Sequence, residues 1–162
     1  MHAATTDQER TARQGPALFH NILLPIDGSE LSLRALGLGL DMATLCGAKV
    51  SVIHVVPPFH SLAYITEVIA ASEFDYNQQA VKNATGYLAQ AKKLADDKHI
   101  ACECHYAFGE RPYEAILRAV DEQHCDLIVM ASHGWHGLDK LILGSETQKV
   151  LSKAAIPVLV CH

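Results

Sequence analysis

Residues 21–29 read NILLPIDGS, a short apolar run that stops at a turn signal. An apolar run of this length that ends at Asp27 and Gly28 is typical of a buried strand. Ser29 then suits the N-cap of a following helix, and Gly47 suits its end. Strand, turn and helix in this order predict the opening of a βαβ unit.

The alternation of strand and helix continues outward from this unit to the end of the chain. Further strands are predicted over residues 49–56, 100–108, 126–131 and 157–161, with helices over 72–98, from Pro112 onward and over 145–153. Such alternation is typical of an α/β fold with a parallel sheet and helices on both faces. Strands one and four are the most continuously apolar, so we expect them at the centre. Strand three alternates like a half-exposed edge, which gives a doubly wound, five-stranded parallel sheet of order 3-2-1-4-5.

The length of 162 residues fits one domain. Residues 1–18 are polar and without period, and we expect a flexible N-terminal tail there, followed by a single domain over 19–162. Residues 57–72 are apolar for a connection and predict either a short helix or a flap.

Composition excludes several classes of protein. Hydrophobic residues make up 49% and charged residues 19%, which excludes an intrinsically disordered chain. A formal charge of -5 argues against nucleic acid and anionic membranes as partners. The apolar runs fall short of the roughly 18 residues of a membrane helix, and no signal peptide is recognisable. Five cysteines form no even framework, so we expect reduced thiols in a cytoplasmic protein.

The predicted sheet reverses its direction of growth between strands one and four, and ligands bind at such a point. Strand one ends there with Pro25, Ile26 and Asp27, and strand four leads into a glycine-containing segment. Gly144 opens a helix whose first N–H groups are unpaired and partly positive, which is typical of a phosphate site. The Asp27 carboxylate suits ribose hydroxyls or a divalent cation bridged to phosphates.

Other interpretations explain the same residues. Ser145 and Gln148 fit a capping box, and Asp27 before Gly28 fits a turn. His133 suits loop ordering or a ribose contact better than a catalytic base.

From residue 20 to 162 the chain resembles the universal stress protein family. The resemblance rests on the opening strand over 22–29, the second strand over 53–55 and the closing strand over 156–160. The nucleotide-binding branch of that family carries a glycine, two residues, a glycine, nine residues, then glycine and serine or threonine. Here the last three positions are Gly134, Gly144 and Ser145, and Ala131 replaces the first glycine.

The resemblance implies an adenine nucleotide alpha hydrolase-like fold that binds ATP, with Mg²⁺ or Mn²⁺ bridged to the phosphates. The resemblance implies adenine contacts from Pro25, Ile26 and Val55 and ribose contacts from Asp27 and Ala131. It implies phosphate contacts from Gly134, Gly144, Ser145, Glu146 and Thr147. Of these, Glu146 and Thr147 would act mostly through their backbone. Met130 and His133 complete the candidate site. It also implies a homodimer formed through the last strand.

The homodimer has an argument from the residues as well. Strand five is apolar and predicted at a sheet edge, where unpaired backbone groups invite another chain. A two-fold axis there would pair Val158 to Val160 with the same segment of a second copy.

Three functions therefore compete. The first is an ATP-binding, dimeric regulator of the stress response with weak or no hydrolysis and an unknown protein partner. The second is a slow ATPase or nucleotide hydrolase, for which His133 and Asp27 are the only candidate bases. The third is a structural or partner-binding family member with an empty crevice, which the methyl group of Ala131 favours.

The sequence lacks the motifs that would place it in another class of nucleotide-binding protein, hydrolase or zinc protein. The chain has no GxxxxGK[ST], no GxGxxG after strand one and no GxSxG. Cys102 and Cys104 face the same side of a strand, too few for a closed zinc site, so buried thiols are the favoured interpretation.

Overall fold

The computed structural model describes residues 17–59, 73–134 and 143–162. Its elements, in chain order, are β1 (Asn21–Pro25), α1 (Glu30–Cys46), β2 (Lys49–Val56), α2 (Glu73–Asp97), β3 (Cys102–Phe108), α3 (Pro112–Glu122), β4 (Leu127–Ala131), α4 (Ser145–Lys153) and β5 (Val158–Cys161). Within the described ranges, no helix has both the length and the apolarity that crossing a bilayer requires.

The five strands form one parallel sheet in the order β3-β2-β1-β4-β5. This confirms the predicted doubly wound arrangement. Ile22 in β1 sits between Val50 of β2 and Leu127 of β4, so the first strand is central. All five residues of β4 are buried, whereas no residue of β3 is fully buried and Glu103, Tyr106 and Phe108 are exposed, as in an edge strand.

The core consists of two apolar layers, one on each face of the sheet. Successive residues of a strand point to opposite faces. Leu24 therefore packs with α1 and α2, in a cluster that includes Leu36 and Ala91. Leu23 packs on the other face with Ile116 of α3. Helices cover both faces of the sheet and leave its carboxyl edge as the place for a site.

Local signals set the helix ends as predicted. The Ser29 hydroxyl caps α1 by accepting from the N–H of Ser32 at 3.2 Å. Gly47 ends the same helix with φ 66°, a conformation that glycine adopts without strain. Pro112 is the first residue of α3, where its missing N–H costs nothing.

Several predicted boundaries were wrong by one or two residues. β1 ends at Pro25, and β3, β4 and β5 start at Cys102, Leu127 and Val158. Most of the predicted tail (1–16) and of the apolar connection (60–72) lies outside the described residues, and the domain limits stay a prediction.

Candidate functional site

A cavity of about 530 Å³ opens at the carboxyl ends of β1 and β4. This volume is within the roughly 300–1,000 Å³ typical of small-molecule sites. It is lined by Pro25, Ile26, Asp27, Ser32, Ile53, His54, Val55, Pro57, Pro112, Ile116, Met130, Ala131, His133, Gly134, Gly144, Ser145, Glu146 and Thr147. Every site residue predicted from the sequence is among them, so the fold brings the whole predicted set together.

Asp27 stands in a tight turn between β1 and α1. Its Oδ1 accepts hydrogen bonds from the N–H of Ser29 at 2.9 Å and from the Ser29 hydroxyl at 2.6 Å. Gly28, between them, has φ 85°, and a side chain there would overlap the ring of Tyr87. The turn interpretation of Asp27 is therefore right, and the same carboxylate also lines the cavity.

The loop after β4 meets this turn at Gly134. A methyl group on Gly134 would overlap Oδ2 of Asp27, so the glycine allows the two segments to touch. The fourth strand reaches the same place through Ala131, which is buried at its end. The ends of the neighbouring strands β1 and β4 thus line one crevice.

The start of α4 is the part of the cavity wall that could receive a phosphate group. Gly144 is the N-cap residue and has no side-chain cap; its own N–H donates to the carbonyl of Ser132 at 2.8 Å. The N–H groups of residues 145–147 have no acceptor among the described residues. Since the unpaired N–H groups of a helix start carry partial positive charge, this wall of the cavity favours an anion.

The capping box considered for Ser145 and Gln148 was wrong. Ser145 is the first helical residue, one position after the N-cap. The Gln148 side chain instead donates from Nε2 to the carbonyl of Leu143 at 2.7 Å. The Ser145 side chain is therefore exposed at the cavity and does not cap its helix.

The side chains of Glu146 and Thr147 are used inside the protein. Glu146 accepts from the N–H of Tyr113 at 2.9 Å and pairs with Lys149 at 2.6 Å, which ties α4 to the start of α3. The buried Thr147 donates to the carbonyl of Ala131 at 3.1 Å. Both side chains are therefore engaged within the protein, and the phosphate contacts that the resemblance implies for these residues stay a prediction.

The apolar wall of the cavity lies along the ends of β1 and β2. Pro25, Ile26 and Val55 belong to it. His54 supports this wall because its Nδ1 lies 2.9 Å from the carbonyl of Ile26. A carbonyl only accepts, so Nδ1 carries the proton. The ring of His54 also packs on that of Tyr87 at 5.4 Å between centroids.

Sequence reasoning missed the cavity residues Ser32, Ile53, His54, Pro57, Pro112 and Ile116. Pro57 follows the carboxyl end of β2, so the rule that placed Asp27 and Ala131 at the site could have found it too. Ile116 gave no local signal for the cavity, since only the packing of α3 brings it there.

The described residues offer little for a metal ion by themselves. No three histidine, cysteine, aspartate or glutamate side chains within 17–59, 73–134 and 143–162 gather closely enough to hold one. His133 lies with Nδ1 3.0 Å from the Ser132 hydroxyl.

Comparison with known proteins points to one family. The sequence model of the universal stress protein family matches residues 18–162. Universal stress protein YxiE of Bacillus subtilis is 33% identical over 147 residues, which cover 88% of this chain and 99% of YxiE. The solved structure of MJ0577, a universal stress protein of Methanocaldococcus jannaschii, has a TM-score of 0.75 at 28% identity and covers 89% of this chain and 96% of its own.

Two solved structures with the same fold contain an adenine nucleotide. A universal stress protein in complex with cAMP has a TM-score of 0.66 at 21% identity and covers 89% of this chain and 97% of its own. The Archaeoglobus fulgidus universal stress protein in complex with dAMP has a TM-score of 0.59 at 19% identity and covers 90% of this chain and 99% of its own.

Proposed function

The chain belongs to the universal stress protein family, and from that premise we propose that it is an ATP-binding, nucleotide-dependent regulator of the stress response that acts as a dimer in the cytoplasm. The observation that supports the proposal is the cavity at the β1–β4 reversal, which is lined by both apolar residues and an anion-favouring helix start. A purine base and a phosphate chain need these two environments side by side.

The proposed pose follows the walls of the cavity. Adenine lies against Pro25, Ile26 and Val55, where apolar side chains cover its faces. The ribose hydroxyls donate to the carboxylate of Asp27, beside Ala131. The phosphates lie at Gly134 and at the start of α4, where Gly144, Ser145 and the backbone of Glu146 and Thr147 receive them.

A divalent cation, Mg²⁺ or Mn²⁺, fits this pose as a companion of the phosphates. Mg²⁺ commonly takes one or two carboxylates together with phosphate oxygens and water. Among the described residues no cluster of three ligating side chains exists, so phosphates and water would supply most of its ligands. The cation would neutralise phosphate charge and help to orient the chain of phosphates.

Weak or absent hydrolysis is part of the proposal. A hydrolase needs a base within hydrogen-bond reach of the attacking water. In the proposed pose the Asp27 carboxylate receives the ribose hydroxyls. Of the two candidate bases only the Nε2 of His133 is then left, and its Nδ1 has the Ser132 hydroxyl rather than a carboxylate as a partner. Binding without rapid turnover suits a regulator, because the bound state then persists.

Binding is tested on the full chain as purified. Mass spectrometry of the protein under native conditions should detect a retained adenine nucleotide, and calorimetric titration with ATP and Mg²⁺ should show one site per chain. The Gly134→Ala variant should bind ATP about tenfold or more weakly, since the added methyl displaces Asp27 from the crevice. Phosphate release should stay slower than one turnover per minute.

The matched control is Gly86→Ala, because a methyl group at Gly86 meets open space. It should leave ATP affinity unchanged, and thermal unfolding of both variants should show that they fold. Absence of any ATP binding by the unaltered chain would refute the proposal, as would equal ATP affinity in Gly134→Ala. Rapid phosphate release that is lost in a His133 or Asp27 variant would favour the enzyme instead.

A further inference from the structure

Two cysteines on the edge strand β3 form a close pair far from the nucleotide cavity. Cys102 and Cys104 are two residues apart, so their side chains share one face of the strand. Their Sγ atoms lie 3.6 Å apart. Both side chains are half-buried and pack against the core cluster on the α1–α2 face of the sheet.

This pair is poorly placed for a disulfide. Two residues along a strand with a rise of about 3.3 Å separate their Cα atoms by about 6.6 Å. Their Cβ atoms are about as far apart, whereas a disulfide needs roughly 3.5–4.5 Å. Pairing of Cys102 with Val50 and of Cys104 with Val52 holds the strand extended. Closing the bond would require β3 to leave the ladder.

The same spacing suits two sulfur ligands of one metal ion. A two-coordinate metal ion lies between its two ligands. Because the Cβ atoms of the pair are about 6.6 Å apart, rotation of both side chains lets the sulfurs open from 3.6 Å and hold an ion between them. We propose that Cys102 and Cys104 form a two-thiolate site for a soft monovalent metal ion, Cu⁺. Binding releases two thiol protons and forms two S–Cu bonds, and the oxidation states of sulfur and copper do not change.

The number and kind of ligands favour Cu⁺ over Zn²⁺. A structural zinc ion takes four protein ligands, and the described residues offer no third histidine, cysteine, aspartate or glutamate beside this pair. Thiolates select Cu⁺, a soft ion that is satisfied by few sulfur ligands. Two thiolates and one Cu⁺ leave a single negative charge. The hydrogen bond between the two sulfurs and burial raise the pKa of Cys102, so the metal ion must displace its proton, and the positive charge of Lys92 on α2 favours the thiolate form of both cysteines.

The proposed site is separate from the proposed function. Cys102 lies at the amino end of β3, opposite Val50 near the start of β2. The nucleotide cavity lies beyond the carboxyl ends of the strands. Loss of the cysteine pair should therefore leave ATP binding unchanged, and failure of ATP binding would not affect the metal proposal.

The test is an anaerobic competition on the reduced full-length protein. Cu⁺ is supplied as its coloured bicinchoninate complex, and transfer to the protein is read as loss of that colour. The unaltered chain should remove one more equivalent of Cu⁺ than the Cys102→Ser/Cys104→Ser variant. X-ray absorption of the loaded protein should show copper with sulfur neighbours. Cys102→Ser alone and Cys104→Ser alone should each also fail to take up this equivalent of Cu⁺, because a chelate needs both sulfurs.

The matched control removes two other half-buried thiols, Cys46 and Cys161, which are free and lie outside the pair. The Cys46→Ser/Cys161→Ser variant should retain the full equivalent. Thermal unfolding of each variant checks that the fold is intact. The proposal is overturned if the unaltered chain takes no Cu⁺ from the chelator, or if the Cys102→Ser/Cys104→Ser variant takes as much as the unaltered chain.

Discussion

Ala131 is the residue at which the chain departs from the glycine pattern of the family's nucleotide-binding branch. It is buried at the end of β4, lines the cavity and accepts a hydrogen bond from Thr147 through its carbonyl. The carbonyl contact does not depend on the side chain, so only the methyl group distinguishes this site from one with glycine. Any effect on ATP must therefore come from that methyl.

We predict that Ala131→Gly binds ATP more tightly, by about 1 kcal/mol or roughly fivefold, because removing the methyl relieves crowding at the ribose. The same change should cost about 1 kcal/mol of unfolding free energy, since glycine loses more chain entropy in a strand. Calorimetric titration measures the first effect and urea unfolding the second.

Ala119→Gly is the control for this prediction. Ala119 is buried in α3 but does not line the cavity. It should lose stability without any change in ATP affinity. Equal or weaker ATP binding by Ala131→Gly would show that the methyl does not crowd the ligand.

At the same scale, residue patterns predicted which residues line the cavity better than they predicted how each side chain is used. Asp27, Gly134 and Gly144 were found because ligands bind at the reversal point of a doubly wound sheet. The role of Glu146 was not visible in the sequence, because its partner Tyr113 is distant along the chain. His54 likewise acts through the carbonyl of Ile26, a contact that exists only once β1 and β2 pair.

Among the elements, the helix ends show which signals are local. Ser29, Gly47 and Pro112 act on their own helix and were predicted correctly. The start of α4 at Ser145 was predicted correctly, but the capping box was wrong, because the N-cap residue is Gly144, whose N–H donates to Ser132 across a loop. Strand order followed from burial patterns, since apolar continuity reports position in the sheet.

The amino ends of β1 and β4 are joined by one carboxylate. Asp126, just before β4, accepts from the N–H groups of His20 and Asn21 at 2.8 Å and 3.1 Å and lies 3.0 Å from the His20 ring. Burial by itself would raise the pKa of Asp126. The backbone hydrogen bonds from His20 and Asn21, and then the His20 ring, outweigh it and hold the pKa below its usual value.

A lowered pKa in the folded state means that the charged carboxylate stabilises the fold above the unfolded pKa of about 3.9. That contribution is lost as the pH falls through the folded pKa. We predict that Asp126→Asn lowers the unfolding free energy by about 1 kcal/mol at pH 7, a value reduced because the side chain is 37% exposed. The difference should shrink below about pH 4, as measured by urea unfolding across pH.

Asp41→Asn provides the comparison. Asp41 pairs with Lys98 at 2.7 Å, but its side chain is 61% exposed. Exposed pairs contribute roughly 0–1 kcal/mol, so this variant should unfold almost like the unaltered chain. A pH-independent loss in Asp126→Asn would contradict the assignment of its effect to the charge.

For the whole molecule, the apolar edge strand β5 is the feature that bears on its assembly. The carbonyls of Pro157 and Cys161 accept from Ile128 and Ser132 on the β4 side. Since alternate residues of a parallel strand bond to the same neighbour, the backbone groups of Val158 and Val160 face the free edge, the side of β5 on which no described strand pairs. An apolar strand with such groups favours pairing with a second copy.

The Ser132 N–H, which donates to Cys161 at 2.7 Å, also connects this edge to the loop that lines the cavity. In a dimer formed through β5, this hydrogen bond would therefore join the interface strand to the segment that contains His133 and Gly134. Such a connection offers a route by which nucleotide occupancy and pairing of the chains influence each other.

We predict that the chain elutes at twice its mass of 17.6 kDa and that Val160→Pro makes it monomeric. Proline removes an N–H on the free edge, a position where an edge strand tolerates it, so the monomer should stay folded. Light scattering after size exclusion measures the mass, and circular dichroism the fold. Tyr106→Ser, on the exposed face of the opposite edge strand β3, should remain dimeric. A dimer that survives Val160→Pro but dissociates in Tyr106→Ser would move the interface to β3, because only pairing through β5 depends on the Val160 N–H.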